Sequence, residues 1–225
     1  MNKLSIIIPA AGQGKRLGLG PKALLELNGH SLLYWVSQKA LQLSSEVIVA
    51  IPSNALPAHW ETHCPGCQII LGGDSHLDTM SRLIQHCTQE WVMNMNIAMP
   101  FTSLPLARRV ADAVMLQGDA ADKAHIAAAF LAIDLPVAQE HEHRALELIT
   151  QGDLGIFSGP NCYSRQLLCD LIANADAQDW QQQSFLQIAM RHSHAIQTVP
   201  GDKSNIKITH TEDWIFAQHL KELLV

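Results

Sequence analysis

The chain has 225 residues, 48% hydrophobic and 16% charged, with a formal charge of -6 and a pI near 6.0. It is long and apolar enough to bury a sizeable core, which excludes a disordered segment, and no overall field draws it to nucleic acid or an anionic membrane. The N-terminus lacks the charged, apolar and small-residue sequence of a secretory signal, and no apolar run approaches the roughly 20 residues that span a bilayer, so a cytoplasmic protein is expected.

In chain order, residues 4–8 are a β-branched run that predicts a strand, 31–43 carry helical spacing, and 46–51 and 69–71 predict two more strands. Asp74 or Ser75 is placed to cap a helix reaching about His86. Residues 91–95 read as a fourth strand and 104–116 as a helix, while the alanine-rich 126–133 fit a helix or a strand alike. After Pro136 the pattern breaks into a polar segment, 137–155, too long for an ordinary connection. An arm or flap is expected over about 135–155. Helical periodicity resumes at 163–173 and 183–192. The end predicts a strand at 195–199, a turn at Pro200-Gly201-Asp202, a strand at 205–209, and a helix from Thr211 with a capping start in Thr-Glu-Asp. Strands alternating with helices predict an α/β fold: one Rossmann-like, doubly wound, mostly parallel sheet over residues 1–225, with ligands bound beyond the carboxyl ends of its strands. Trp35, Trp91 and Trp214 fall at packing positions, whereas Trp60 and Trp180 are flanked by polar residues and expected to be partly exposed.

Five cysteines cannot all pair within the chain, and reduced thiols are expected in a cytosol. His59, His63, Cys64 and Cys67 lie within nine residues and are of zinc-ligand type. The competing reading is a surface loop turning at Pro65-Gly66, because a structural zinc site normally takes its ligand pairs from two separated knuckles. Cys87, Cys162 and Cys169 have no partner spacing and read as packing residues.

The informative stretch is PAAGQGKRLGLGPK, residues 9–22, which follows the first strand directly. Ala10, Ala11, Gly12 and Gly14 let backbone N–H groups approach a ligand closely, and Lys15, Arg16 and Lys22 add charge that a phosphate can neutralise. The loop reads as a triphosphate cradle, although it is neither GxxxxGK[ST] nor GxGxxG.

These residues resemble the start of the sugar-nucleotidyltransferases, and specifically the 2-C-methyl-D-erythritol 4-phosphate cytidylyltransferase family. Three further blocks are similar to that family in the same order: LGGDSHLDTMSRLI (71–84), VMNMNIAMPF (92–101) and PGDKSNIKITHTEDW (200–214). The resemblance implies a nucleotidyltransferase fold. It also implies transfer of CMP from CTP to a polyol phosphate with Mg²⁺ as cofactor, and a homodimer in which each arm completes the partner's site. Residue by residue, Arg16, Lys22 and Lys207 match the catalytic cations, and Ala10, Ala11, Gly12, Gly14 and Lys15 the cradle. Gly73, Asp74 and Thr79 match the segment that contacts cytosine and ribose.

Departures fall on the acceptor side. The family's His-Asp-Ala-Ala-Arg-Pro is Met95-Asn96-Ile97-Ala98-Met99-Pro100, so Asn96 stands at the metal-binding aspartate and Met99 at an arginine. A neutral amide is a poorer ligand for Mg²⁺ than a carboxylate. Asp74, Asp78, Asp202 or the triphosphate itself are the remaining candidates to help hold the ion. An active cytidylyltransferase, a nucleotide-binding relative without turnover, and a transferase with a changed acceptor all stay open at this point.

Overall fold

The computed structural model describes residues 3–12, 14, 17–117, 124–133, 137–141, 144–149 and 154–224. In chain order the elements are β1 (Leu4–Pro9), β2 (Glu26–Leu27), β3 (His30–Ser31), α1 (Leu32–Leu41), β4 (Glu46–Ile51), β5 (Gln68–Leu71), α2 (His76–Gln85), β6 (Trp91–Asn94) and α3 (Leu104–Met115). They continue with β7 (Ile126–Ala132), β8 (Val137–His141), β9 (Arg144–Ile149), β10 (Gly155–Ser164), α4 (Arg165–Ala173), α5 (Phe185–Arg191), β11 (Gln197–Pro200) and α6 (Thr211–His219).

Seven strands form one sheet in the order β11-β7-β10-β6-β1-β4-β5. Each neighbouring pair is parallel except the two that β10 makes, with β6 and with β7. The expected α/β, mostly parallel sheet is therefore what forms. β1 pairs with β4 on one side and β6 on the other, so the chain winds outward through β5 and then crosses back over β1. Ligands of such sheets bind at the carboxyl ends of the strands, where the strand order reverses in this way.

The pleat sorts the side chains to two faces. Ile6, Ile8, Val49 and Met93 meet Leu33 and Val36 of α1 and Leu106 and Val110 of α3 on one face. Ile7, Ile48, Val92 and Tyr163 meet Leu77 and Leu83 of α2, Leu168 of α4 and Phe185 of α5 on the other. A third, smaller cluster lies apart from the sheet and joins Leu17 and Leu27, Leu32, Phe101, Ile208, Ala217 and Leu224.

The alanine-rich run settles as β7. Ile126, Ala127, Ala128 and Ala129 are completely buried inside the sheet, where tertiary packing overrides the helix preference of alanine. Strand β10, with Pro160 within it, takes residues that suggested a break and the start of a helix, and α4 begins only at Arg165. The expected strand at 205–209 does not form. Its backbone is held by point contacts from Ala98 O, Lys22 Nζ and the Asp213 carboxylate, and this leaves it outside every ladder. Within the expected arm, Val137–His141 and Arg144–Ile149 pair as a separate two-stranded sheet, β8 with β9. Ser75, one of the two expected caps, caps α2 by accepting from Asp78 N. Trp60 is buried, not partly exposed, because it packs into the first core cluster with Cys64. Trp180 is exposed as expected.

Candidate active site

The carboxyl end of β1 is anchored by Ala10, whose N–H donates to Ala50 O at 2.8 Å, and the chain then turns back on itself. Gly14 sits at φ +66°, and a Cβ there would stand 2.2 Å from Gly20 O. Only glycine fits that doubled loop. At Gly12 a Cβ would meet nothing, so its backbone is open to a ligand's approach. Lys15 and Arg16 lie outside the described residues.

Beside this loop runs the turn that leaves β5. Gly72 lies so near Ala11 that a Cβ would come within 2.8 Å of the alanine methyl. Gly73 leaves room for the Asp78 carboxylate, which accepts from Asp74 N at 2.9 Å and pairs with Arg82 at 3.3 Å. The buried Thr79 Oγ1 accepts from Gly73 N at 3.0 Å. Thr79 thus fixes the turn from beneath, while Asp74 is exposed.

The third part comes from the far end of the chain. Lys22 Nζ donates to Ile208 O, and Ile208 N–H donates to Ala98 O at 2.7 Å. Lys207 is exposed next to these anchored atoms. Its charge reaches His76 at the start of α2, whose pKa is lowered first by desolvation and then by that cation. Asp213 accepts from His210 N and Thr209 N, each at 2.8 Å, and those bonds, with the Lys22 charge nearby, hold its carboxyl below the usual range. Lys22 and Lys207, 185 positions apart, therefore reach one edge of the sheet together with the Gly73–Thr79 turn.

Asn96 lies in the loop after β6, and its Oδ1 accepts from Ala98 N at 2.9 Å. Met99 is buried, and its sulfur would lie 3.4 Å from a Cβ on Gly159. Asp202 is tied to Ser103 Oγ and Arg109, each at 2.9 Å, and Asp78 to Arg82, so two of the three candidate carboxylates are already engaged. Among the described residues no group of three or more His, Cys, Asp or Glu could hold a metal ion. The residues present do not by themselves fit a resident Mg²⁺, which takes carboxylates and phosphate oxygens. His59, His63, Cys64 and Cys67, of zinc-ligand type, likewise form no such group. Cys67 N–H closes a turn onto Cys64 O at 3.2 Å, and burial pushes the two thiols up, to about 12 for Cys64 and about 11 for Cys67.

The profile of IspD, 2-C-methyl-D-erythritol 4-phosphate cytidylyltransferase, matches residues 4–222. The chain belongs to this cytidylyltransferase family. A member from Thermus thermophilus is 28% identical over 97% of this chain and 97% of its own length. One from Deinococcus radiodurans is 29% identical over 97% of this chain and 89% of its own. The crystal structure of the Thermus thermophilus cytidylyltransferase superposes with a TM-score of 0.79 at 25% identity, covering 99% of this chain and all of the other. Among the described residues of the matched blocks, Ala10, Ala11, Gly12, Gly14, Lys22, Gly73, Asp74 and Thr79 keep the residue types expected of the cytidylyltransferase pattern, apart from the threonine at 79, and departures fall at Asn96 and Met99. Residues that the sequence did not single out brace these loops: Thr102, Arg109 and Asn205. Their signal was faint: Thr102 and Asn205 lie beside or inside a matched block without being a charged or glycine position of the motif, and Arg109 lies outside every block.

Proposed function

We propose that the chain is a CTP-dependent cytidylyltransferase that transfers CMP to 2-C-methyl-D-erythritol 4-phosphate in isoprenoid biosynthesis. An oxygen of the acceptor's phosphate attacks the α-phosphorus of CTP, the bond to the bridging oxygen of the β-phosphate breaks, and pyrophosphate leaves. Such a transfer asks the protein chiefly for positioning and charge neutralisation. The reading is supported by one observation: Lys22 of the glycine-rich loop donates to the carbonyl of Ile208, next to Lys207, which ties the two segments that carry the matched lysines together. In this reading Ala10, Ala11, Gly12 and Gly14 cradle the triphosphate, with Lys15 and Arg16 from the same loop, and the Gly73–Asp74 turn, braced by Thr79, receives the nucleoside.

Magnesium, in this proposal, enters with the triphosphate and not as an ion resident on Asn96, and the exposed Asp74 is, among the described residues, the candidate carboxylate not engaged in an ion pair. The paired strands β8 and β9 form the arm through which two copies join as a homodimer. The protein works in the cytoplasm; among the described residues no helix is long and apolar enough to cross a membrane.

The buried Met99 and the engaged Asn96 favour a second reading, in which the nucleotide is bound but the acceptor differs or turnover is lost. Pyrophosphate release with CTP, Mg²⁺ and 2-C-methyl-D-erythritol 4-phosphate, run beside a CTP titration, decides between them. Turnover at about one per second or faster is expected, near the low end of ordinary enzymes. Binding without release would overturn the transferase assignment for this acceptor.

A further inference from the structure

Lys207 is exposed, and a lysine side chain is long and rotationally free, so its ammonium is only as well placed as the backbone beneath it. That backbone belongs to no sheet. Two buried residues hold it, Asn205 at 4% and Ile208 at 0% exposure.

We propose that Asn205 is the positioning residue of the site: its buried amide fixes Lys207, and through Ile208 the Lys22 ammonium, against the loop that follows β6. The amide joins three parts of the chain. Nδ2 donates to Gly159 O at 2.9 Å and to Ser158 O at 3.3 Å, in the irregular part of β10. Oδ1 accepts from Thr102 Oγ1 at 2.9 Å, in the loop between β6 and α3. The orientation follows from the partners, because the reversed amide would set its oxygen against two carbonyl oxygens. Thr102 Oγ1 is also 2.9 Å from Met99 O, so its single proton is shared between that carbonyl and Asn205. The same loop supplies Ala98 O to the Ile208 N–H. Asn96 and Met99 on one side and Lys207 on the other are thus cross-braced twice within a few residues. Nearby, Arg109 and Ser103 hold Asp202, three residues before Asn205.

The consequence is kinetic, and it rests on the cytidylyltransferase reading above. Asn205→Asp keeps the shape, removes both donors and sets a carboxylate against two carbonyls. A displacement of Lys207 by about 1 Å is expected to lower kcat about 100-fold. Asn205 touches no reacting atom in this scheme, so its effect must pass through Lys207. The variants Asn205→Asp, Lys207→Ala and both together are therefore compared for pyrophosphate release, and hydrogen exchange is followed at the Ile208 amide. The double variant is expected to lose no more than Lys207→Ala alone, and Ile208 exchange in Asn205→Asp to rise at least 10-fold while the amides of β1 and β6 keep their protection. Independent, multiplying losses, or an unchanged Ile208 amide, would overturn the proposal. If Asn205→Asp fails to fold, Thr102→Val removes one bond of the same amide and enters the same cycle with a smaller loss, about 10-fold. A wild-type protein that releases no pyrophosphate sinks the functional reading, and the Ile208 exchange then still decides the positioning role by itself.

Discussion

Individual residues at the cradle act mainly through the space they do not fill. Gly14→Ala would place a methyl on Gly20 O and impose a side chain at positive φ, a cost of about 1–3 kcal/mol with the loop displaced. The expected outcome is a lower melting temperature together with weaker CTP binding, both read from one thermal titration. Thr79→Val keeps the volume and leaves the Gly73 N–H without its partner; a loss of about 1–3 kcal/mol is expected, concentrated in nucleotide affinity as seen by calorimetry. Asn96 invites the opposite experiment. In Asn96→Asp the carboxylate can still accept from Ala98 N, so the turn survives while a hard anionic oxygen becomes available to Mg²⁺. Turnover with CTP is expected to rise about 10-fold, and no gain at any Mg²⁺ concentration would count against Asn96 lying at the reacting phosphates. Met99→Arg is a poorer test, because Met99 is buried against the Gly159 turn and a guanidinium there must be desolvated or pushed out.

Among the elements, the connection between α4 and α5 shows how a polar segment is held without a strand. The Asp179 side chain is fully buried and meets Arg191 Nη1 at 2.7 Å and His192 Nε2 at 2.9 Å, while Asp176 Oδ2 takes the other arm of Arg191 at 2.8 Å. Burial raises the Asp179 carboxyl, but the His192, Asp176 N–H and Arg191 hydrogen bonds outweigh it and hold the group at about 2. The native value lies below the ordinary 3.8, so the unfolded chain binds the proton more readily. The stabilisation is complete above 3.8 and is lost as pH falls through about 2. Asp179→Asn is expected to lower the melting temperature at pH 7, and the gap to the wild type should close as a melting series approaches pH 2. A gap that stays constant down the series would show that the charge of Asp179 is not what it contributes.

On the scale of the whole molecule, the small cluster of Leu17, Leu27, Phe101, Ile208 and Ala217 does for the site what the sheet does for the fold. It ties the cradle loop, the loop after β6 and the C-terminal segment into one body, and Ile208 is its completely buried link. Ile208→Ala is expected to cost about 2–5 kcal/mol, or roughly 2–4 °C of melting temperature per kcal/mol for a chain of this size. CTP affinity should fall further than it does for an equal truncation in the main core, such as Leu83→Ala, measured in parallel.

The strands β1, β4 and β6 and the helices α1 to α3 were legible from the chain alone, because each is a local run whose period matches the face it buries. The glycine-rich loop after β1 and the residues Asn96 and Met99 were legible too, since they are matters of residue identity. Three things were not. The run at 126–132 became a strand only because its neighbours on both sides offered ladders that its alanines were small enough to fill. The segment at 205–209 reads as β by composition but joins no ladder; side chains and loops hold it. The bracing by Asn205, Thr102 and Gly159 joins residues up to 103 positions apart. The sequence by itself therefore determined which chemistry this protein can offer and most of its local elements, whereas the tertiary structure alone decided which backbone groups find partners. A buried N–H or C=O must be paired, and only the folded chain shows with what.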